Sequence, residues 1–571
     1  MGVSAAVFES AGKRTEHYIP GVYSRSNNVT SASGVSSGNL CIMGKSTGGT
    51  PLELLEFSSI SEAKNTLLSG NLLEGVAYAF NGSNDYVPQK VYAMRVNGGV
   101  QGTLTLSSGS TESIKLTAWD YGSHTNQLKL KIETGTIENS KKFTLVYKST
   151  TKTVDNIIKK SIQVYGGGTN PTVTIGEDSM ILSTTDDDSE TVTETLSFEE
   201  FPTISELVAK INDSEYFTAT QLDSDDDALS SELDTVTSVA ISEGLILYSN
   251  FVAFVDELEN IEYFDSVEVL TTATRVVPDN TSYVYFSGGS TSSYTTDDWS
   301  NALEALETKD IQIIATPCTT QEIQVLIANH CTSMSSTVNR KERMCWFGGE
   351  LDEADDDLIT KAKVFNNKLV SYVGDSVIAS NPITGETENV NGALVACMLA
   401  GMESAMAVHI PLTNKVLKVL GFRTSRNITN LEKLIKNGIV TCNPNPDDNS
   451  DYVCIRAVTT YQQDDLISNE RSMTREDLYM NRDLRQAYSS LIGTPNNVGA
   501  SVFTQTLLAK AEEWANAGYI VRDDSNNAVW NTSVSIDGDK VYISFSRYLT
   551  APTNFIFITA TNYVYTSTVE V

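Results

Sequence analysis

The feature that most constrains this chain is a change of hydrophobic rhythm that happens twice. From Asn39 to Gly99, NLCIMGKS and QKVYAMRVN read as strands and FSSISEAKNTLLSG and LLEGVAYAF as helices. Interleaving of period 2 with period 3.6 is the mark of an α/β unit. From Gln101 to Thr272 the text becomes Thr, Ser, Val and Ile in short alternating runs (GTLTL, SIKLTAW, QLKLKIE, KKFTLVYK, PTVTI), with helical spacing only at Thr203–Asn212 and Val255–Glu262. Such runs, broken by turn residues, predict a mostly β region. From Ser287 the first rhythm returns: TTDDWSNALEALET, TQEIQVLIANHCTSM and LDEADDDLITKAKVFN predict helices, DIQIIATP, RMCWFGG and KLVSYVG predict strands, and NVNGALVACMLAGMES predicts a close-packed apolar helix. A texture that stops and resumes implies one α/β body interrupted by an insertion.

The insertion differs from the body in charge as well. Between Gly176 and Glu268 there are 25 Asp or Glu against one basic residue, Lys210, while the other 478 residues hold 47 acidic and 39 basic groups. Most of the formal charge of −32 therefore sits on one solvent-facing module. Phosphate backbones would be repelled by it, which argues against direct nucleic-acid binding. At 571 residues the chain exceeds one ordinary core, and 40% hydrophobic content suffices for several. No run of about 18 apolar residues is present, so no membrane insertion is expected. The N-terminal MGVSAAVFESAGKR is too short in apolar residues for a secretory signal, so the chain is expected to be made and kept inside a cell. Seven cysteines without a CxxC pair predict free thiols; Cys442 and Cys454 face each other across a predicted hairpin, GIVTCNPNPDDNSDYVCIRAVTTY.

Downstream, MTREDLYMNRDLRQAYSSLI and ASVFTQTLLAKAEEWANAG predict helices, and VWNTSVSIDGDKVYISFSRY a hairpin with Asp537-Gly538 at its tip. Asn554–Val571 (NFIFITATNYVYTSTVEV) is β-branched and aromatic, with Glu570 its single charge. Left unpaired, such a strand exposes backbone donors and acceptors and invites aggregation. PGVYSR at Pro20–Arg25 also reads as extended, preceded by a loose arm and followed by the polar run Ser24–Ser37. Two extended ends suggest strand addition between subunits. Pro20, Gly21, Val22 and Tyr23, with Phe555, Ile556, Phe557, Ile558, Tyr563, Val564 and Tyr565, are the candidate inter-subunit residues. The hairpin at Val529–Tyr548 offers the last strand an alternative partner within its own chain.

Taken in order, PGVYSR, SGVSSGNLCIMGKSTGGTP, LLEGVAYAFNGSNDYVPQKVYAMRVNGG and LTAWDYGSHTNQLKLKI resemble the N-terminal half of the tail sheath proteins of contractile-tailed bacteriophages. FSGGSTSSYTTDDWSNALEALETKDIQIIATP resembles the start of their central α/β portion. NRDLRQAYSSLIGTPNN, AEEWANAGYIVRDDSNN and APTNFIFITA resemble their C-terminal domain. The acidic stretch matches no part of that pattern. The resemblance implies a multidomain α/β (α+β) fold: an arm (1–24), a discontinuous sheath body (25–98 and 277–460), an inserted β-rich acidic region (99–276), a C-terminal domain (461–553) and a terminal strand (554–571). It also implies a structural subunit, not an enzyme, with no cofactor. Its partners are then further copies in helically stacked hexameric rings, the tail tube protein, and baseplate and tail terminator proteins. Its place is the virion, after assembly in the host cytoplasm. A sheath of a phage-tail-like bacteriocin or other contractile injection device would share every block.

Motifs that suggest chemistry fail on spacing. GKS at Gly44–Ser46 has its nearest upstream glycine, Gly38, one residue too far for a phosphate loop. GVSSG at Gly34–Gly38 sits in a Ser-rich linker, where a nucleophile elbow needs a strand-to-helix turn. His17, His124, His330 and His409 are scattered, so an α/β hydrolase reading lacks a base. Asp223, Asp225 and Asp227 alternate as in a calcium loop, but Ala228 stands where the turn glycine belongs and Asp234 where the long bidentate Glu belongs. The run Asp352–Asp357 reads as charge at the positive end of a helix dipole.

Overall fold

The computed structural model describes residues 6–10, 13–17, 37–225, 227–423, 426–445, 451–494 and 499–565. Contacts divide the chain into residues 1–36 and 37–571. In the first unit the backbone of Ala6–Ser10 pairs antiparallel with Lys13–His17, Ala6 opposite His17, a hairpin in a stretch the sequence reads as a loose arm.

The second unit is organised by an eight-stranded sheet. Across it run Tyr452–Arg456, Ile439–Pro444, Val370–Val373, Met344–Gly348, Ile313–Ala315, Leu40–Gly44, Val91–Arg95 and Leu54–Phe57. The six inner strands are parallel and each edge strand is antiparallel to its neighbour. Ile313–Ala315, from beyond the β-rich stretch, lies directly on Leu40–Gly44, from before it, with Ile313 opposite Leu40. Parallel strands need helices on both faces, which buries them completely. Leu40 and Ile42 accordingly face one core, while Cys41 and Met43 face the other. The first core also takes helices Asn71–Phe80 and Gly392–Ser404, the second Thr296–Leu306, Gln321–Met334 and Asp355–Phe365. Thr295 closes a capping box with Asp298 at the start of Thr296–Leu306. Gly401 brings Gly392–Ser404 so close to Asn71–Phe80 that a Cβ there would lie 2.0 Å from the Ala79 carbonyl oxygen.

The inserted stretch leaves and re-enters this body at one place. Gly99 pairs with Thr291, Ser292 N donates to Gly98 O at 3.0 Å, and Asn97 Nδ2 donates to Ser292 O at 3.2 Å. Fully buried Arg95 fastens the outgoing strand of the neck, donating to the carbonyls of Gly49, Asn97, Gly98 and Tyr121. Beyond the neck are two β cores. One joins the sheet around Gly99–Ser108, Thr111–Tyr121 and Phe264–Val269 to the sheet Thr150–Ile157, Lys141–Tyr147, Lys129–Thr134 and Thr281–Tyr285, with helix Asn250–Glu259 between them. The other holds Thr191–Ser197, Ser179–Thr185, Thr169–Ile175 and Val236–Ala240 against Phe217–Gln221, Lys160–Gly166 and Leu245–Tyr248, closed by helix Ile204–Ile211. The architecture is thus multidomain α/β with several separate sheets.

Candidate assembly site

The C-terminal part has a small core of its own: Met480, Ala511, Trp514, Ile520, Ala528 and Val529. From it projects a hairpin, Trp530–Asp537 paired with Lys540–Ser546, turned at Gly538 with φ of +61°. A two-stranded hairpin has too little buried surface to be stable alone. No third strand joins it among the described residues, so both outer edges keep unpaired backbone groups, and Ile536, Tyr542 and Tyr548 are exposed.

The chain then enters the stretch expected to be a strand. Its root is fixed. Asn554 Nδ2 donates to Glu470 Oε2 at 3.2 Å, and Arg456 Nη2 donates to the same oxygen at 2.9 Å. The Arg456 guanidinium stands 5.8 Å from the centre of the Phe555 ring. Burial pushes the Glu470 carboxyl above its ordinary value, partly offset by Arg456. Past the root no strand is assigned as far as Tyr565. Phe555, Ile556, Phe557, Ile558, Tyr563, Val564 and Tyr565 are 67 to 91% exposed. In an extended chain successive side chains alternate faces, so the four aromatics share one face and the three aliphatics the other. Both faces are apolar, as on a strand buried from two sides. Pro20, Gly21, Val22 and Tyr23 lie outside the described residues.

Helix Arg471–Ser489 bolts this C-terminal part to the body. Its first two turns are polar yet buried. Arg471 Nε and Nη2 donate to the two Glu403 oxygens at 2.8 Å, Trp346 Nε1 donates to Glu403 Oε2 at 2.6 Å, and the Arg471 guanidinium lies 4.1 Å from the Trp346 ring centre. Burial pushes the Glu403 carboxyl up, but the charges of Arg471 and Arg475 outweigh it and hold the group below its ordinary value. Arg475 donates to the carbonyls of Ser37 and Met406. Further along, Arg547 pairs with Asp477 at 2.7 Å, and Asp483 accepts from Trp514 Nε1 at 2.8 Å. Glu476 is fully buried between these two sets, and burial pushes its carboxyl up to about 9 despite Arg547. It is neutral at pH 7.

The family model for the phage tail sheath protein central domain matches residues 292–460, beginning at the residue after the neck strand Ser290–Thr291 and spanning the second half of the large sheet. A tail sheath protein of Bacillus phage SP01 is 26% identical over 95% of this chain and 96% of its own length. The chain is similar to phage tail sheath proteins along nearly its whole length. Among solved structures, a sheath tail protein from Desulfitobacterium hafniense covers 93% of this chain and all of its own at a TM-score of 0.51 and 11% identity. One from Listeria innocua covers 90% of this chain and 95% of its own at 0.52 and 12%. These two share the fold.

The residues that suggested chemistry are dispersed. Gly44 ends an inner strand, where Ser46 N donates to Asn97 Oδ1 at 2.9 Å. His124 lies 2.9 Å from Asp120. His330 is bonded to Arg343, and burial and that cation bring its pKa down to about 4. The His409 ring lies 5.2 Å from that of Tyr519, tilted by 50°. The His17 side chain lies outside the described ones. Asp223 and Asp225 serve the backbone, accepting from the amides of Asp225 and Asp227 at 3.1 Å, and Asp223 has Lys159 3.6 Å away. Asp355, Asp356 and Asp357 occupy the first turn of their helix, with Arg426 on Asp355 and Lys433 on Asp356. Among the described residues no group of three His, Cys, Asp or Glu is placed to hold a metal ion. Cys442 and Cys454 are directly opposite each other as buried free thiols. The clamp of Arg456, Glu470 and Asn554 was not foreseen, because its members are far apart in sequence and each is unremarkable alone.

Proposed function

We propose that this chain is the structural subunit of a contractile tail sheath. It polymerises as helically stacked hexameric rings around a tail tube, and contracts to drive the tube through the host envelope for genome delivery. Baseplate and terminator proteins bound the polymer, the finished subunit resides in the virion, and assembly takes place in the host cytoplasm. The role is mechanical, with no catalysis and no nucleotide consumed. The subunit divides as an arm (1–24), a body (25–98 and 292–460), an insertion (99–291, extended past the expected 276 because Thr281–Tyr285 pairs with Lys129–Thr134 and Ser290–Thr291 pairs back onto Gly99–Val100), a C-terminal domain (461–553) and a second arm (554–571). The insertion faces away from the tube, where its charge keeps particles soluble and mutually repelling.

The observation that carries this reading is the arm beyond Asn554: apolar on both faces, exposed and without a backbone partner among the described residues as far as Tyr565, yet fastened at its root. A hairpin with two open edges stands in the same domain. Strand addition from a neighbouring copy satisfies both. Residues 555–558 and 563–565, with Pro20–Tyr23 at the other end, are the coupling elements. About five backbone hydrogen bonds at roughly 1 kcal/mol net each stabilise one junction by about 5 kcal/mol. Contraction requires each subunit to have two packings against its neighbours, the contracted one lower in free energy. Junctions made of main-chain bonds persist while the bodies repack. Negative-stain microscopy of the expressed protein tests this: long hollow cylinders are expected, and stable monodisperse monomers at high concentration would overturn it.

A further inference from the structure

The insertion is electrically divided. Residues 99–175 carry nine lysines and five acidic residues, while the next stretch, to Glu268, carries 25 acidic residues and Lys210 alone. The lysines are not spread evenly over the first β core. On strand Lys129–Thr134, Leu130 and Ile132 are buried, and Lys129, Lys131 and Glu133 point the other way. The adjoining strand, Thr281–Tyr285, is the edge of that sheet, and on it Tyr283 and Tyr285 are 41% and 56% exposed. Lys129 Nζ lies 4.8 Å from the centre of the Tyr283 ring and 5.5 Å from that of Tyr285; Lys131 Nζ lies 5.8 Å from Tyr283. Glu133 holds Lys131 at 2.6 Å and lies opposite Lys142 on the next strand. The result is a flat face with two aromatic rings and a surplus of positive charge, on a chain whose total is −32. Ammonium groups resting against ring faces are held in place, at little further entropic cost when a carboxylate arrives.

The complementary feature is the turn of the hairpin joining Ser179–Thr185 to Thr191–Ser197. Asp186 Oδ1 accepts from the amides of Asp188 and Glu190 at 3.0 and 2.8 Å, which folds the turn. Asp187, Asp188 and Glu190 stand exposed at its tip, with no ion pair to any described residue. No ion pair joins this tip to the Lys129 face of its own chain either.

We propose that the face formed by Lys129, Lys131, Tyr283 and Tyr285 receives the Asp186–Glu190 turn of a neighbouring copy in the polymer. The inference rests on the reading of the chain as a self-assembling subunit. Each copy supplies one basic face and one acidic tip, so the contact is heterologous and propagates from copy to copy. Strongly negative chains repel at long range, and screening within about 8 Å at physiological salt leaves only groups in near contact to attract. The basic face provides such a contact on the neck-borne module. It gives the outer layer a lateral link that salt weakens and the main-chain junctions lack.

The test uses full-length protein, unlabelled and nitrogen-15-labelled in equal amounts, coupled with a carbodiimide that joins a lysine amine to a carboxylate in contact. Mass spectrometry should find mixed-isotope pairs linking Lys129 or Lys131 to the 186–190 turn. Lys129→Glu with Lys131→Glu should abolish them and raise the critical concentration for cylinders about tenfold at low salt. Adding Asp187→Lys and Asp188→Lys to that variant should restore assembly, which a merely folding role would not permit. Absence of the mixed-isotope links overturns the proposal whether or not cylinders form, whereas absence of cylinders overturns the sheath reading itself. If the links are absent and retention on dextran sulfate is lost with the lysines, the face belongs to an external polyanion and the proposal falls.

Discussion

Replacing Phe557 with alanine separates the two lives of the C-terminal arm. In the single chain this ring is 91% exposed, and a surface change of that kind alters folding stability by less than about 0.5 kcal/mol. Thermal unfolding of the dilute subunit should therefore be unchanged. Under the proposed strand addition the same ring is buried against a neighbour, and burying a phenylalanine contributes about 1.5 to 3 kcal/mol. At about 1.4 kcal/mol for each factor of ten, the critical concentration for assembly should rise about 10- to 100-fold. Ile556→Pro, one residue away and 78% exposed, probes the backbone: it removes an amide that strand addition needs, and should block assembly more severely while also sparing the monomer. Both are read by pelleting over a concentration series, with microscopy of the pellets. Assembly of Phe557→Ala at the wild-type concentration would refute the argument. So would a loss of several degrees in subunit melting temperature, since the ring would then be packed at home.

Two buried carboxyls give opposite expectations. Glu403→Gln leaves the Arg471 and Arg475 charges uncompensated in the interior, a change that costs about 3 to 5 kcal/mol. The urea midpoint followed by tryptophan emission should fall, and an unchanged midpoint would show the pair to be dispensable. Glu476, whose carboxyl rises from 4.5 to about 9 on folding, binds its proton more tightly in the native state. Its contribution is fully present below pH 4.5 and is lost as pH rises through 9. Glu476→Gln should therefore gain on the parent across that window, by up to about 1.4 kcal/mol per pH unit. Calorimetry at pH 5, 7 and 9 checks this, and parallel curves would contradict it.

Much of the body could be read from its rhythm because each element carries its own signal. DIQIIATP and RMCWFGG are apolar on both faces, as inner parallel strands must be, and TTDDWSNALEALET announces its own cap. Elements stabilised only by what lies next to them were silent. Leu54–Phe57 is a four-residue edge strand, and Val377–Ser380, Thr387–Val390 and Gly421–Phe422 form a small sheet of similarly short pieces. The helix expected from Val255 begins at Asn250, since its polar first residue hides its burial. Alternating Thr and Val announced strands in the insertion but not their sorting into two cores, because period 2 fixes a face and not a partner. The arm's composition showed that it needs burial. Its anchoring by Arg456, Glu470 and Asn554 depends on three positions brought together by folding.

The neck at Asn97–Gly99 and Ser290–Ser292 has a consequence for how such a chain can diverge. Because the two crossing strands enter and leave side by side, any polypeptide whose own ends meet can be spliced there without disturbing the parallel sheet. The outer modules are in that sense a cassette, free to drift in sequence, charge and size while the mechanical frame stays fixed. Asn97, whose side-chain amide reaches from the outgoing strand to the Ser292 carbonyl on the returning one, is the latch on which such an exchange turns.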